Sequence, residues 1–577
     1  MANSQRAASV SRRSFLARAA AAGIAPELRN ALPAADRAPV PGETAKRRPN
    51  FLIFVTDQHN PTCFGYAGHP VVRTPHLDAL ARRGTYFSRA YVSNPLCLPS
   101  RATLFTGLTT RGHGVRMNGI PLDWGVPTMT EALRQAGYRT HCVGKIHLRT
   151  SLTPNGVPLD ALDAREFPEA RDMWTSGRVR ELPSPYYGLE SVDYANGHGP
   201  FTWGHYVRWL DKEHPREARL FHEKTPLEPP GPAARQYNRE CFKWALPQEV
   251  HPSTWVADRA IDYLNEAGRR ERRSGSDPGR AASPFFLWCS IQEPHDPFAP
   301  PAPWCYRYDP REVPPPLRRE GEFDRLPPHF RGQYRSNLIT SGSLGQPMNA
   351  TDPYRAECAA HYYGLIEMLD HHVGRILEAL RRNRVEEDTV VMFVSDHGEA
   401  LGDHGMWGKG PYHYDGVIRV SCTVAWPGRF KAGRTHAGVI STLDFAPTVL
   451  DIAGVPIPQG PLPRTPEAPG MPRPWPGRSL VPVLTGESQP TGATALVEQD
   501  EDYLGFRIRT LATDRYRLTA YSGRPFGELF DFHEDPHEYR NLWDEAGRRR
   551  LRDELRLELL DKIMDTDRAL PRQLCRS

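Results

Sequence analysis

The run Asn50-Phe51-Leu52-Ile53-Phe54-Val55-Thr56, followed at once by Asp57-Gln58-His59, decides the fold. A near-continuous apolar run of strand length reads as a strand buried on both faces, as in parallel sheets. Its abrupt polar end marks a ligand crevice, because open α/β sheets bind ligands outside the carboxyl ends of their strands. The pattern recurs. A strand at 139–143 ends at Gly144-Lys145-Ile146-His147, one at 285–290 leads to Gln292-Glu293-Pro294-His295, and one at 389–395 ends at Asp396-His397-Gly398-Glu399. A strand at 84–92 leads to Cys97, and one near 420 closes the series. Helical spacing of apolar residues predicts helices at 74–81, 128–136, 253–267, 354–382 and 442–453. Together these segments predict an α/β fold, with a large mixed, mostly parallel sheet flanked by helices.

After the proline-dense stretch 455–478, four short strand-like segments between 494 and 532 and a charged helix at 544–567 predict a smaller C-terminal α+β subdomain built on an antiparallel sheet. Residues 150–250 and 299–350 mix Pro, aromatic and charged residues without sustained period and read as loops and short elements over the site face. Residues 268–282 read as a solvated loop. The predicted organisation is a signal at 1–35, a linker at 36–48, a main body at 49–455 and the C-terminal subdomain at 456–577.

The bulk numbers exclude several classes. A chain of 577 residues with 39% apolar and 24% charged residues can bury a large core. Its net charge of +5 is spread along the chain without a basic stripe, so nucleic acid is not an implied partner. No apolar run is long enough to span a membrane. Nine cysteines, an odd number without a CxxC, argue against a disulfide scaffold. Ser11-Arg12-Arg13-Ser14-Phe15-Leu16 before an Ala-rich segment resembles a twin-arginine export signal. That implies a periplasmic or otherwise exported protein; a cytoplasmic protein with a basic tail is the alternative.

Several residues carry chemistry. In Cys97-Leu98-Pro99-Ser100-Arg101 the thiol is expected near a helix N-terminus and a fixed cation, surroundings that favour its anion. A lone Cys would otherwise read as a small buried residue. Asp57 and Gln58 offer two oxygen donors of the kind that hold Ca²⁺ or Mg²⁺. Lys145 and His147 alternate along an extended stretch, so both can point to one side and meet an oxyanion.

Cys-x-Pro-Ser-Arg followed by Ala-x-Leu-x-Thr-Gly resembles the signature of the type I sulfatases. With the strand-end residues, roughly 49–545 resembles the sulfatase branch of the alkaline phosphatase superfamily. The resemblance implies that a formylglycine-generating or sulfatase-maturing enzyme reads Pro99 and Arg101 and converts Cys97 to formylglycine, whose hydrated aldehyde is the nucleophile. It implies one divalent metal held by Asp57, Gln58, Asp396 and His397 with residue 97: Ca²⁺ first, Mg²⁺ or Mn²⁺ as alternatives. Arg101 would stabilise the nucleophile. Lys145, His147, His295 and Lys409 would bind sulfate oxygens or move protons, with His295 serving the leaving group and His147 the nucleophile. Asn118 would lie on the substrate side. Gln58 and His397 stand where many members carry Asp and Asn, which leaves the metal open. The implied substrate is a small-molecule or glycan sulfate ester. A phosphonate monoester or phosphodiester hydrolase on the same scaffold is the alternative, and a non-catalytic sulfated-glycan binding protein the second. Glu498, Asp500, Glu501 and Asp502 form an acidic cluster that reads either as a substrate contact or as a solvated turn.

Overall fold

The structure, a computed structural model, describes residues 48–229, 241–275, 283–330, 352–458, 475–487, 492–502 and 504–566. The expected export signal and all but the last residue of the linker lie outside these residues. Pro49–Ser577 forms one compact unit.

Ten strands make the main sheet: β1 (Asn50–Asp57), β2 (Thr85–Tyr91), β3 (Arg139–Gly144), β4 (Ser191–Asn196), β5 (Trp203–Gly204), β6 (Phe285–Pro294), β7 (Thr389–Ser395), β8 (Arg419–Ala425), β9 (Arg434–His436) and β10 (Ile440–Ser441). Their order is β10-β2-β8-β7-β1-β6-β3-β4-β5, with β9 beside β2. The central run β7-β1-β6-β3-β4 is parallel throughout. β8 is antiparallel to β7 and β2, and β5 to β4, so the sheet is mixed and mostly parallel.

Every residue of β1, β6 and β7 is buried, as their unbroken apolar runs require. Alternate β1 residues feed opposite cores. Phe51, Ile53 and Val55 pack with α1 (Cys97–Thr106) on one face; Leu52 and Phe54 pack with α2 (Pro252–Gly275) and α3 (Asp352–Arg382) on the other. Each such Ile, Leu or Phe stabilises the fold by about 1.5–3 kcal/mol. α4 (Phe445–Ala453) joins the first face after a turn closed by a Ser441/Asp444 capping box.

The structure corrects the sequence reading in two places. The stretch 150–250 adds β4 and β5 to the sheet, followed by helices His205–Glu213 and Pro215–Glu223. Ser191 of β4 is exposed and Val192 and Asp193 are half-buried, so the strand lacks the apolar run that betrays its neighbours. The expected loop at 268–282 is helical to Gly275, where Arg269 and Arg270 pair with Glu266 one turn earlier; residues 276–282 lie outside the described ones.

β11 (Ala495–Glu501), β12 (Phe506–Ala512), β13 (Tyr516–Tyr521) and β14 (Gly527–Asp531) form an antiparallel sheet in chain order. α5 (Arg549–Thr566) packs Leu555 and Leu559 against Leu496, Leu511, Leu518 and Leu529. β11 also touches the loop before α1. Glu498 N–H donates to Ser93 O (2.8 Å), and Asn94 Nδ2 donates to Glu498 O (2.6 Å). Asn94 Oδ1 in turn accepts Leu96 N–H (2.8 Å), so the C-terminal sheet steadies the approach to Cys97. Among the described residues no helix is long and apolar enough to cross a membrane.

Candidate active site

Register builds the site. Thr56 of β1 pairs with Ser395 of β7, and Asp396 N–H donates to Thr56 O (3.0 Å), so Asp57 and Asp396 leave the sheet side by side. Two buried carboxylates at such range need cations. Arg101, fully buried in α1, bridges them: Nε to Asp396 Oδ2 (2.8 Å) and Nη2 to Asp57 Oδ2 (3.1 Å). Its Nη1 donates to Ser290 Oγ and Lys145 O, so the fork is fully engaged.

The opposite carboxylate oxygens turn towards a second cluster. His397 Nε2 lies 3.7 Å from Asp57 Oδ1, 3.6 Å from Asp396 Oδ1 and 3.2 Å from Cys97 Sγ. One ligand atom from each of these four residues falls within 4.8 Å of all the others. His397 Nδ1–H donates to Gly398 O (2.9 Å), which leaves Nε2 as a bare lone pair. Burial, against the pull of Asp396, brings that imidazole down to about 4, so it is neutral. Converging carboxylate oxygens and an imidazole lone pair fit a divalent cation.

Two lysines border this cluster, Lys145 through Asp57 and Lys409 through Gln58. Lys145 Nζ lies 2.5 Å from Asp57 Oδ2 and 2.7 Å from His198 Nε2; Lys409 Nζ donates to Gln58 Oε1 and lies 2.9 Å from His295 Nε2. The two imidazoles stack, with centroids 3.5 Å apart and planes 2° from parallel. An ammonium only donates, so each Nε2 accepts. Burial and then Lys145 lower His198 to about 3; burial, His198 and Lys409 hold His295 well below its usual range. His295 Nδ1 donates to Asp296 O (2.6 Å), which fixes the tautomer.

Three sequence expectations change. Burial and then Asp57 push the Cys97 thiol up, and Lys145 and Lys409 oppose them, so the surroundings do not favour its anion. The fixed cation invoked for it, Arg101, faces the carboxylates. His147 does not continue an extended stretch from Lys145, because its backbone is left-handed (φ 56°). The N–H groups of His147, Leu148 and Arg149 all donate to buried Glu169, and burial, Lys145 and Arg101 keep His147 neutral. The acidic cluster is neither a solvated turn nor free: Glu498 pairs with Arg111 and Arg509, Asp500 with Arg509, and Asp502 with Arg116 and Arg507.

Asp57, Gln58, Cys97, Arg101, Lys145, Asp396, His397, His295 and Lys409 thus meet in one crevice. Asn118 stands beside α1, where its Oδ1 accepts Leu98 N–H (3.1 Å). The sequence reading missed His198, Glu169, Asp296 and Glu399. His198 does follow a strand end, but of β4, whose run is too weakly apolar to find.

Fold and site together define an alkaline phosphatase-like α/β protein. The sulfatase family pattern matches residues 49–455, and the chain belongs to that family. A second pattern, "N-sulphoglucosamine sulphohydrolase, C-terminal", matches residues 402–565. The chain is 26% identical over 516 residues to an arylsulfatase of Clostridium perfringens (strain 13 / Type A), covering 86% of this chain and 90% of that one. It is 27% identical over 552 residues to the multifunctional alkaline phosphatase superfamily protein PehA of Trinickia caryophylli, covering 91% and 97%. The crystal structure of the phosphonate monoester hydrolase of Agrobacterium radiobacter superposes with a TM-score of 0.72 at 25% identity, over 90% of this chain and 96% of that one.

Proposed function

We propose that this chain hydrolyses a sulfate ester to an alcohol and inorganic sulfate, with residue 97 converted from Cys to formylglycine. The observation that carries the reading is the place of Cys97, in contact with Asp57 and His397 and within the positive field of Lys145 and Lys409. A divalent cation, Ca²⁺ in this reading, would be held by Asp57, Gln58, Asp396 and His397 and would supply Lewis acidity towards an anionic oxygen. Formylglycine at 97 would supply, as its hydrate, an oxygen nucleophile.

The chain's own residues do the rest. Arg101 bridges Asp57 and Asp396 and fixes both carboxylates in place. Lys145 and Lys409 exchange their imidazole partners for the sulfate oxygens and stabilise the charge that builds there. Because His295 is neutral with Nδ1–H committed to Asp296, the leaving oxygen takes its proton from the Lys409–His295 pair: Lys409 donates, and the bare His295 Nε2 orients it. Neutral His147 accepts the proton lost at residue 97. Asn118 borders the substrate side. The reading includes maturation by a formylglycine-generating enzyme, export through the twin-arginine-like N-terminus, and a division into a body at 49–455 and a subdomain at 456–577.

The likeness to a phosphonate monoester hydrolase structure favours a second reading on the same residues. Matured protein assayed with an aryl sulfate and an aryl phosphonate monoester separates the two. The sulfate is expected to give the higher kcat/KM, and a far better phosphonate would overturn the assignment. Binding of sulfated glycans with no turnover of either ester would point to a non-catalytic protein.

A further inference from the structure

The side-chain amide of Gln58 stands among groups that leave it one orientation. Its two Nε2 hydrogens go to Asp296 Oδ1 (2.9 Å) and Glu399 Oε2 (2.5 Å), and its Oε1 accepts from Lys409 Nζ. A half-turn of the amide would set its oxygen against two carboxylates and its NH₂ against an ammonium. The backbone is held as firmly. Gln58 is left-handed (φ 59°), its N–H donates to Asp396 Oδ1 (3.1 Å), and its carbonyl accepts from Tyr362 Oη (2.7 Å). The other oxygen of Glu399 accepts Leu401 N–H (2.8 Å) and Gly408 N–H (2.5 Å), which closes the loop that carries Lys409.

We propose that Asp296 and Glu399 are positioning residues that aim Gln58 Oε1 into the crevice, and that they act on cation binding through Gln58. This inference rests on the cation reading given above. It assigns a purpose to two buried acids that converge on the side-chain amide nitrogen of Gln58. It also accounts for an amide at position 58: a carboxylate there would bring a third acid against Asp296 and Glu399 in place of the two hydrogens that Gln58 gives them. A neutral amide at 399 cannot replace the acid. With its one oxygen on the Leu401 and Gly408 N–H groups, its NH₂ would confront the NH₂ of Gln58.

The test is a double-mutant cycle read by calorimetric titration of the full chain, freed of metal, with CaCl₂. Asp296→Asn and Glu399→Gln together are expected to weaken Ca²⁺ binding about 10- to 100-fold in the otherwise unchanged protein. In a Gln58→Ala background the same pair should shift Kd by less than about twofold, because the group they orient is gone. Equal shifts in both backgrounds would overturn the inference, since acids acting through their charge alone would weaken binding with or without Gln58. Asp296→Asn tested alone guards against a folding defect from Glu399→Gln, and should give part of the loss in the first background and none in the second. Failure of the unsubstituted protein to bind Ca²⁺, Mg²⁺ or Mn²⁺ would overturn the cation reading and this inference with it, and so is distinguishable from equal shifts.

Discussion

Two regions bury charge, and they do so in opposite ways. In the C-terminal sheet Arg517 is fully buried between Glu528 (3.3 Å) and Glu538 (2.8 Å), with its guanidinium over the Phe530 ring (4.7 Å). Tyr521 Oη completes Glu528 (2.6 Å), and Asp415 N–H completes Glu538 (2.8 Å). Nη2 donates to Glu528, while Nε and Nη1 find no hydrogen-bond acceptor among the described residues, so opposite charge and ring packing enclose the guanidinium. In the crevice, Lys145 and Lys409 are equally buried but donate to neutral imidazoles as well as to oxygens. An imidazole lone pair is a weaker partner than an anion, so an incoming oxyanion can displace it. Arginine between acids makes structure here, in Arg517 as in Arg101, and a lysine that shares an imidazole, Lys145 beside Asp57 and His198 or Lys409 beside His295, keeps a cation ready for a ligand.

The largest effect expected from this contrast falls on stability. Arg517→Met strands two buried carboxylates and should lower the unfolding free energy by about 3–5 kcal/mol, with kcat per folded molecule unchanged. Urea denaturation with parallel kinetics reads both, and a large loss of kcat at full stability would break the contrast from that side. Lys409→Ala should do the reverse: kcat/KM about 10²–10³ lower and the urea midpoint little moved. A stable enzyme of near-normal kcat/KM would show that the lysine is structural.

A smaller effect follows from the buried imidazoles outside the crevice. Burial lowers His113, His251 and His413 to about 3 and His361 to about 4, from an ordinary 6.5. The unfolded chain therefore binds more protons below pH 6.5. The stability these groups confer is whole above that pH and is lost as pH falls towards 4. Glu293, Asp370, Glu399 and Glu538, raised by burial to about 7, act in the opposite sense below that pH, and His59, His69 and His329, lowered by burial to about 4, join the other imidazoles to outnumber them. The urea midpoint should fall from pH 7 to pH 5; a rise would mean that the acids dominate. The smallest effect belongs to Arg116, which is partly exposed and pairs with Asp502. Arg116→Ala should cost less than about 1 kcal/mol by the same denaturation, and a larger cost would make the rim as closed as the Arg517 cluster.

The sequence made legible what depends on local pattern. The unbroken apolar runs of β1, β6 and β7 announce buried parallel strands, and the polar residues that stop them mark the crevice. β4 and β5 escaped because β4 is buried only in its second half and β5 is two residues long, so neither carries such a run. Cys97, Arg101, Asp57 and Asp396 stood out by position. Asp296 and Glu399 did not, because their roles exist only through Gln58, more than two hundred residues away along the chain. His147 was placed in the right neighbourhood by the wrong geometry: a left-handed residue held by Glu169 has no signal in Lys-x-His. The raised thiol of Cys97 was equally invisible, since it follows from burial beside Asp57 rather than from the helix that begins there.

The central claim is that residue 97 acts as a formylglycine at the meeting point of a cation site and an oxyanion site. The most direct measurement is the mass of the tryptic peptide 90–101 from protein made alongside a formylglycine-generating enzyme, taken together with aryl sulfate turnover of the same preparation. An aldehyde or its hydrate at 97, with turnover rising in proportion to its fraction, is the predicted result. A preparation that hydrolyses the ester at full rate while residue 97 remains a thiol would contradict it.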